Sequence, residues 1–98
     1  MSYKYGLKFL PIALKEWRKL DSTIQNQLKK KLKERLENPR VPASRLHGFE
    51  NHYKIKLRAS GYRLVYEIID SDIIVLVVAV GKRDKNLAYQ KANKRKKG

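Results

Sequence analysis

Residues His52 to Tyr66, His-Tyr-Lys-Ile-Lys-Leu-Arg-Ala-Ser-Gly-Tyr-Arg-Leu-Val-Tyr, constrain the fold most, because they pair sensibly with one another in a single register. Tyr53, Ile55 and Leu57 alternate with Lys54, Lys56 and Arg58, the period of two that marks a strand with one buried face. With Ala59 and Ser60 in the loop, Tyr53 opposes Tyr66, Ile55 opposes Leu64 and Leu57 opposes Tyr62, so apolar meets apolar. The same register sets Lys56 opposite Arg63. A slip of one residue would set the apolar side chains of one strand against the charges of the other. Like charges on directly opposed residues, only ~5 Å apart, repel. A face carrying Lys54, Lys56, Arg58 and Arg63 therefore points to an anion that joins them, and the hairpin reads as a polyanion site built on a rigid sheet.

Composition narrows the partner. The 98 residues suffice for one domain with a modest core, and 24 Lys and Arg against nine Asp and Glu leave a net charge of +15 and a pI near 10.2. Such an excess draws polyanions, with nucleic acid first among them. A membrane surface would need an amphipathic helix with bulky apolar residues or a lipid anchor, and the sequence offers neither. No apolar run approaches ~20 residues, and the start Met-Ser-Tyr-Lys-Tyr-Gly lacks the apolar stretch of a secretory signal, so a cytoplasmic protein is expected. Without cysteine there is no disulfide, thiol nucleophile or thiolate ligand. With two histidines and scattered acids, neither a metal site nor a cofactor is expected.

Around the hairpin the chain predicts a small α+β domain in the order β-α-α-β-β-β with a short terminal helix. Tyr3, Tyr5, Leu7 and Phe9 alternate with Lys4, Gly6 and Lys8 as an opening strand whose aromatic side meets the core. Pro11 suits a helix's first turn, with Ala13, Leu14, Trp17 and Leu20 inward. Ser22-Thr23-Ile24-Gln25 matches a capping box that starts a second helix, on which Ile24, Leu28, Leu32 and Leu36 form an apolar stripe. Asn38-Pro39 ends it, closing an αα-hairpin. Lys29, Lys30, Lys31, Lys33 and Arg35 read either as an extended phosphate-binding face or as the ordinary solvated face of a basic protein, their sum steering polyanions in both cases, and residues 40–51 read as a loop. After the turn Asp70-Ser71-Asp72, the run Ile73 to Val80 is a strand covered on both faces, antiparallel to Tyr62–Ile69. It delivers Gly81-Lys82-Arg83 to the end of the sheet that carries Lys56 and Arg63. Asp84 can cap a last helix with Leu87, Ala88 and Ala92 inward. Residues 1–93 form the domain and residues 94–98 a basic tail.

The segments Ala13-Leu14-Lys15-Glu16-Trp17-Arg18-Lys19-Leu20, Tyr53-Lys54-Ile55-Lys56-Leu57-Arg58, Ser60-Gly61-Tyr62-Arg63-Leu64-Val65-Tyr66 and Val80-Gly81-Lys82-Arg83 closely resemble the RelE family of toxin-antitoxin ribonucleases. The resemblance runs nearly end to end and includes a tyrosine six residues after Arg83, here Tyr89. It implies a toxin that enters the A site of the 70S ribosome, contacts rRNA, cuts the messenger RNA exposed there and is held inactive by a RelB-like antitoxin. Through that antitoxin alone it would touch operator DNA. By position the resemblance assigns catalysis to Lys54, Lys56, Arg63, Arg83 and Tyr89. Many relatives have Leu-Arg-Gly where this chain reads Leu46-His47-Gly48, so Arg45 or a protonated His47 is expected to supply that RNA contact, with Arg58 and Lys82 adding others.

The residues themselves suit such chemistry. RNA brings its own nucleophile, so a nuclease need only remove a proton from the 2′-hydroxyl, stabilise the phosphorane and protonate the leaving 5′-oxygen. Lys56 and Arg63 suit the non-bridging oxygens, and Lys54, crowded by cations, is expected to have a depressed pKa fit for a base. Arg83 would meet the leaving oxygen, and Tyr89 would orient the hydroxyl or stack on a base, unless it simply packs its helix. His52 shares the cationic face by parity but stands at the strand's start and ranks below Lys54. Two other functions fit the charge: a non-catalytic RNA- or ribosome-binding protein, and an inactive co-repressor of the same fold.

Overall fold

Strand β4 (Ile74–Lys82) is the spine of the sheet and is buried without interruption from Val77 to Gly81. The computed structural model describes residues 3–82 and 87–95, the side chains of residues 87–89 excepted. On one side β4 pairs in parallel with β1 (Gly6–Phe9), and on the other it pairs antiparallel with β3 (Tyr62–Ile69), beyond which lies β2 (His52–Lys56). The order is thus β1-β4-β3-β2, a mixed sheet in which the apolar run occupies the interior position that its β-branched residues predict. β1 is shorter than its alternation suggests, and Tyr3 and Leu7 are exposed at 40% and 38%. The chain before Gly6 leaves the sheet, the Tyr5 amide donating to the Leu36 carbonyl at 3.0 Å. Tyr5 and Phe9 still pack on the core, Phe9 edge-on to Trp17 at 5.4 Å.

Helices α1 (Pro11–Arg18) and α2 (Ser22–Glu37) cover one face of the sheet. Pro11 opens α1, where its missing amide and fixed φ cost nothing, and Ala13 and Trp17 are buried. The cap of α2 is Asp21, one residue before the expected Ser22: its carboxylate accepts from the Ile24 amide at 2.9 Å. A carboxylate there also meets the positive end of the helix dipole, which a serine hydroxyl does not match. Gln25, freed from the box, donates instead to the Trp17 carbonyl at 2.9 Å and ties the two helices together. Ile24, Leu28, Leu32 and Leu36 are buried as their spacing requires. Full burial of Leu28 and Leu32 contributes about 1.5–3 kcal/mol each.

The opposite face is covered in part by α3 (Leu87–Arg95), whose Ala92 packs with Leu46, Val65, Val78 and Ala79. A bulge lets β4 serve both faces: Tyr66 pairs with Val77 but Val65 pairs with Ala79, so Val78 has no opposite number. Before it Val75 and Val77 meet α1 and α2, and after it Val80 does. β1 stops opposite Val77, leaving the next outward backbone groups of β4 without a strand partner. Side chains replace that strand. Arg95 donates to the Val78 carbonyl at 2.8 Å, Lys91 to the Val80 carbonyl at 3.2 Å, and the Val80 amide donates to Glu16 at 3.3 Å. Glu16 also binds Lys91 at 2.6 Å and Arg95 at 3.0 Å, so α1 and α3 meet around the edge of the sheet. Arg95, expected in the basic tail, is thereby part of the fold, and α3 runs through it because its guanidinium has a carboxylate to reach. Asp84 lies outside the described residues, as do residues 96–98 of the tail.

Candidate active site

The hairpin adopts the expected register: Tyr53 faces Tyr66, Ile55 faces Leu64 and Lys56 faces Arg63. Its turn closes through the Gly61 amide to the Leu57 carbonyl and the Leu57 amide to the Tyr62 carbonyl, both at 2.8 Å. Gly61 has φ +78, a conformation in which a Cβ would be strained. Ile55, Leu57 and Leu64 are buried under the helices, which anchors the opposite, cationic face. On it Lys54 and Arg63 are half-buried, while Lys56 and Arg58 are exposed. Lys56 is held below the usual lysine range chiefly by the charge of Lys54, then by loss of solvation and by Arg63 and Arg58. Lys56 is the member of the row with cations on both sides and opposite.

His52 belongs to the interior, with 5% of its surface exposed. Its Nδ1 donates to the Glu50 carbonyl at 2.6 Å and its ring lies 5.2 Å from that of Phe49. Buried there, it cannot reach a substrate on the exposed row, in keeping with its lower rank as a base. Arg45 and His47 are exposed in the loop before β2, where Arg45 bridges to the backbone of Tyr53. Lys82 stands opposite Tyr62 with its ammonium 5.6 Å from that ring, and Tyr62 belongs to the helix-covered side. The extra residue at Val78 accounts for this placement, since regular pairing beyond Val77 would set Gly81 opposite Tyr62 and turn Lys82 to the face of Arg63. Lys82 is therefore set apart from the row it was expected to join. Arg83 lies outside the described residues; Tyr89 lies in α3, its side chain outside them.

What sequence reasoning missed is the setting of Arg35, read only as one of the basic residues on the outer face of α2 but half-buried in the structure. Its guanidinium donates to the Lys54 carbonyl at 3.2 Å, the Tyr66 hydroxyl at 2.9 Å and Ser44 Oγ at 3.1 Å. Tyr66 passes the chain on, donating to the Pro39 carbonyl at 2.6 Å, and burial pushes its phenol above the usual range. One signal was available: Arg35 follows Leu28 and Leu32 by seven and three residues and so falls on the stripe that faces the sheet. Lys56 and Arg58 line three adjoining depressions. A groove of about 580 Å³ runs along Gln27, Lys30, Lys31 and Glu34 of α2. A cleft of about 270 Å³ is walled by Arg35, Ala43, Ser44 and Lys54, and a dimple of about 30 Å³ by Gly61, Tyr62 and Arg63. The row can thus hold an anionic strand and concentrate charge on one phosphate at Lys56 and Arg63. Among the described residues no group of acids and histidines could hold a metal ion, and no helix is long and apolar enough to cross a membrane.

Comparison with known proteins gives a consistent result. Residues 7–87 match the family described as ParE toxin of type II toxin-antitoxin system, parDE. The mRNA interferase toxin RelE of Escherichia coli strain K12 is 57% identical over 91 residues, covering 93% of this chain and 96% of that protein. A double arginine-to-alanine mutant of E. coli RelE in the free state superposes with a TM-score of 0.86 at 55% identity, covering 97% of this chain and 98% of that one. The toxin in the intact E. coli RelBE toxin-antitoxin complex superposes with a TM-score of 0.78 at 60% identity, over 80% of this chain and 95% of that one.

Proposed function

Because the chain belongs to the RelE and ParE toxin family of type II toxin-antitoxin systems, we propose that it is a toxin that cuts messenger RNA and is neutralised by an antitoxin of the RelB kind. The observation that carries this reading is Lys56 directly opposite Arg63 on a rigid, cation-rich sheet face. The cut is an in-line attack by the ribose 2′-hydroxyl on the adjacent phosphate, which leaves a 2′,3′-cyclic phosphate and a 5′-hydroxyl end. Arg63, with paired planar donors, and Lys56 hold the non-bridging oxygens as the phosphorane gains charge. Lys54 and Lys56, side by side on β2, divide the remaining tasks of accepting the 2′-proton and stabilising charge, and the lowered affinity of Lys56 for its proton equips it to exchange one. Arg83 meets the leaving oxygen; a guanidinium, which holds its proton too tightly to give it up, stabilises that oxygen more readily than it protonates it. Tyr89 orients the attacking ribose, and Arg45, His47 and Arg58 grip the strand around the cut.

Such a site has no strong acid-base pair, and cleavage gains most from an RNA already held in a near-attack geometry. The ribosomal A site supplies that geometry, so the substrate is ribosome-bound message and the place of action the cytoplasm. The test is primer extension on a message in programmed ribosomes, with wild type, Arg83→Ala and a ribosome-free control. Cleavage in the A-site codon that needs the ribosome and is lost in the variant is the expected outcome. Binding without cleavage would assign the chain to an RNA-binding or co-repressor role instead.

A further inference from the structure

Among the described residues Arg35 is a cation without a counter-charge. A guanidinium has five N–H groups. Three of them go to the Lys54 carbonyl, the Tyr66 hydroxyl and Ser44 Oγ, all neutral acceptors. The ion pairs among the described residues fall on Arg40, Lys91 and Arg95, and Arg35 is in none of them. A half-buried charge loses solvation that neutral acceptors only partly restore. Had the fold needed only a tie between α2 and β2, a neutral donor would have met the same carbonyl at lower cost. The side chain opens instead into the cleft of about 270 Å³ whose ionisable walls, Arg35, Lys54, Lys56 and Arg58, are all cationic.

We propose that this cleft seats a second phosphate of the RNA strand, that of a nucleotide neighbouring the cut, with Arg35 at its floor as a binding residue. The inference rests on the RNA-cleaving reading above. The seat is built before the ligand arrives, because Tyr66 holds the guanidinium from below and is itself fixed to Pro39. Among the described residues that line it none is aromatic and every ionisable one is cationic, which favours a phosphate over a stacked base. Lys56 and Arg58 line both this cleft and the dimple containing Arg63, so the second seat adjoins the first through two shared side chains.

The test is a cycle between protein and substrate. Messages held in programmed ribosomes carry one neutral methylphosphonate at a time, at each linkage flanking the cut, and single-turnover cleavage is followed for wild type and Arg35→Gln. One flanking substitution should slow wild type about tenfold, the worth of a charge-assisted contact, and should add nothing in Arg35→Gln, whose cleavage of the unmodified message is already slowed by a similar factor. Arg58→Gln, at the exposed wall, gives the same cycle without touching the Tyr66 network should the first variant melt early. Independent, multiplying effects at every flanking linkage would overturn the seat. So would variants whose linkage profile matches wild type but whose binding to the antitoxin is weakened, since the cleft would then hold a partner's carboxylate. Wild type that leaves unmodified message uncut would overturn the proposed reaction itself, and the seat with it.

Discussion

At the outer edge of β4, Lys91 and Arg95 close on Glu16 at 2.6 and 3.0 Å, whereas on the hairpin face Lys56 is ringed by Lys54, Arg63 and Arg58. The first group holds Glu16 below the usual carboxylate range despite its burial, so each charge favours the other. The second drives Lys56 below the usual lysine range, so each charge disfavours the others. The cations at the edge meet a carboxylate and backbone acceptors, whereas Lys56 meets the charge of its cationic neighbours. Substitution should therefore act on stability at one place and on reactivity at the other.

The largest effect expected is on the hairpin. Lys56→Ala should cut the cleavage rate about a thousandfold, as loss of a transition-state charge contact does, while the melting temperature holds or rises. Equal losses of rate and stability would break the contrast. At the edge, Glu16→Ala should lower the unfolding free energy by about 2–3 kcal/mol in urea titration, because it leaves two cations and the Val80 amide unmatched. Tyr66→Phe tests the neutral support of Arg35 and should cost about 1.5 kcal/mol, the hydroxyl's two partners being stranded.

Acid should act through the edge as well. The folded-state pKa of Glu16 is depressed, so its stabilisation is full above the unfolded value of about 4.5 and is lost as pH falls through the depressed one. Glu16→Gln should flatten that limb in urea titrations across pH. Part of the slope will remain with Asp70, which its Arg40 hydrogen bond, and then Tyr5, likewise hold low. The smallest effect is local: Lys54→Gln should raise the Lys56 pKa toward the ordinary lysine range in an NMR titration, and no movement would show that Lys54 is not the neighbour that depresses it.

The hairpin register was legible because every other residue of both strands is apolar, and a period of two admits no compromise. The helical stripe of Leu28, Leu32 and Leu36 was legible for the same reason at another period. What could not be read were events that alternation does not encode. Asp21 and Ser22 are both good caps in sequence, and only the chain's path decides between them. The Glu16 clasp joins residues 79 positions apart. The place of Lys82 turned on a bulge within an unbroken apolar run, where no polar residue marks which side faces which layer. Arg35 was hidden by its company, one cation among the lysines of a basic helix.

That bulge makes β4 behave like a ruled scale with one extra division. Below Val78 its odd-numbered residues face the α-helical layer, and above it the even-numbered ones do. The strand thus carries a phase slip that brings glycine, the smallest possible neighbour, beside Arg63. Were the same residues to pair without the bulge, the hydrophobic content of the strand would be untouched, yet everything downstream would turn by half a period, with Val80 set beside Arg63 and Gly81 against Tyr62. A chain of the same composition could then fold with its upper sheet edge turned inside out, and the guanidinium of Arg63 would lose the open space into which a phosphate must come.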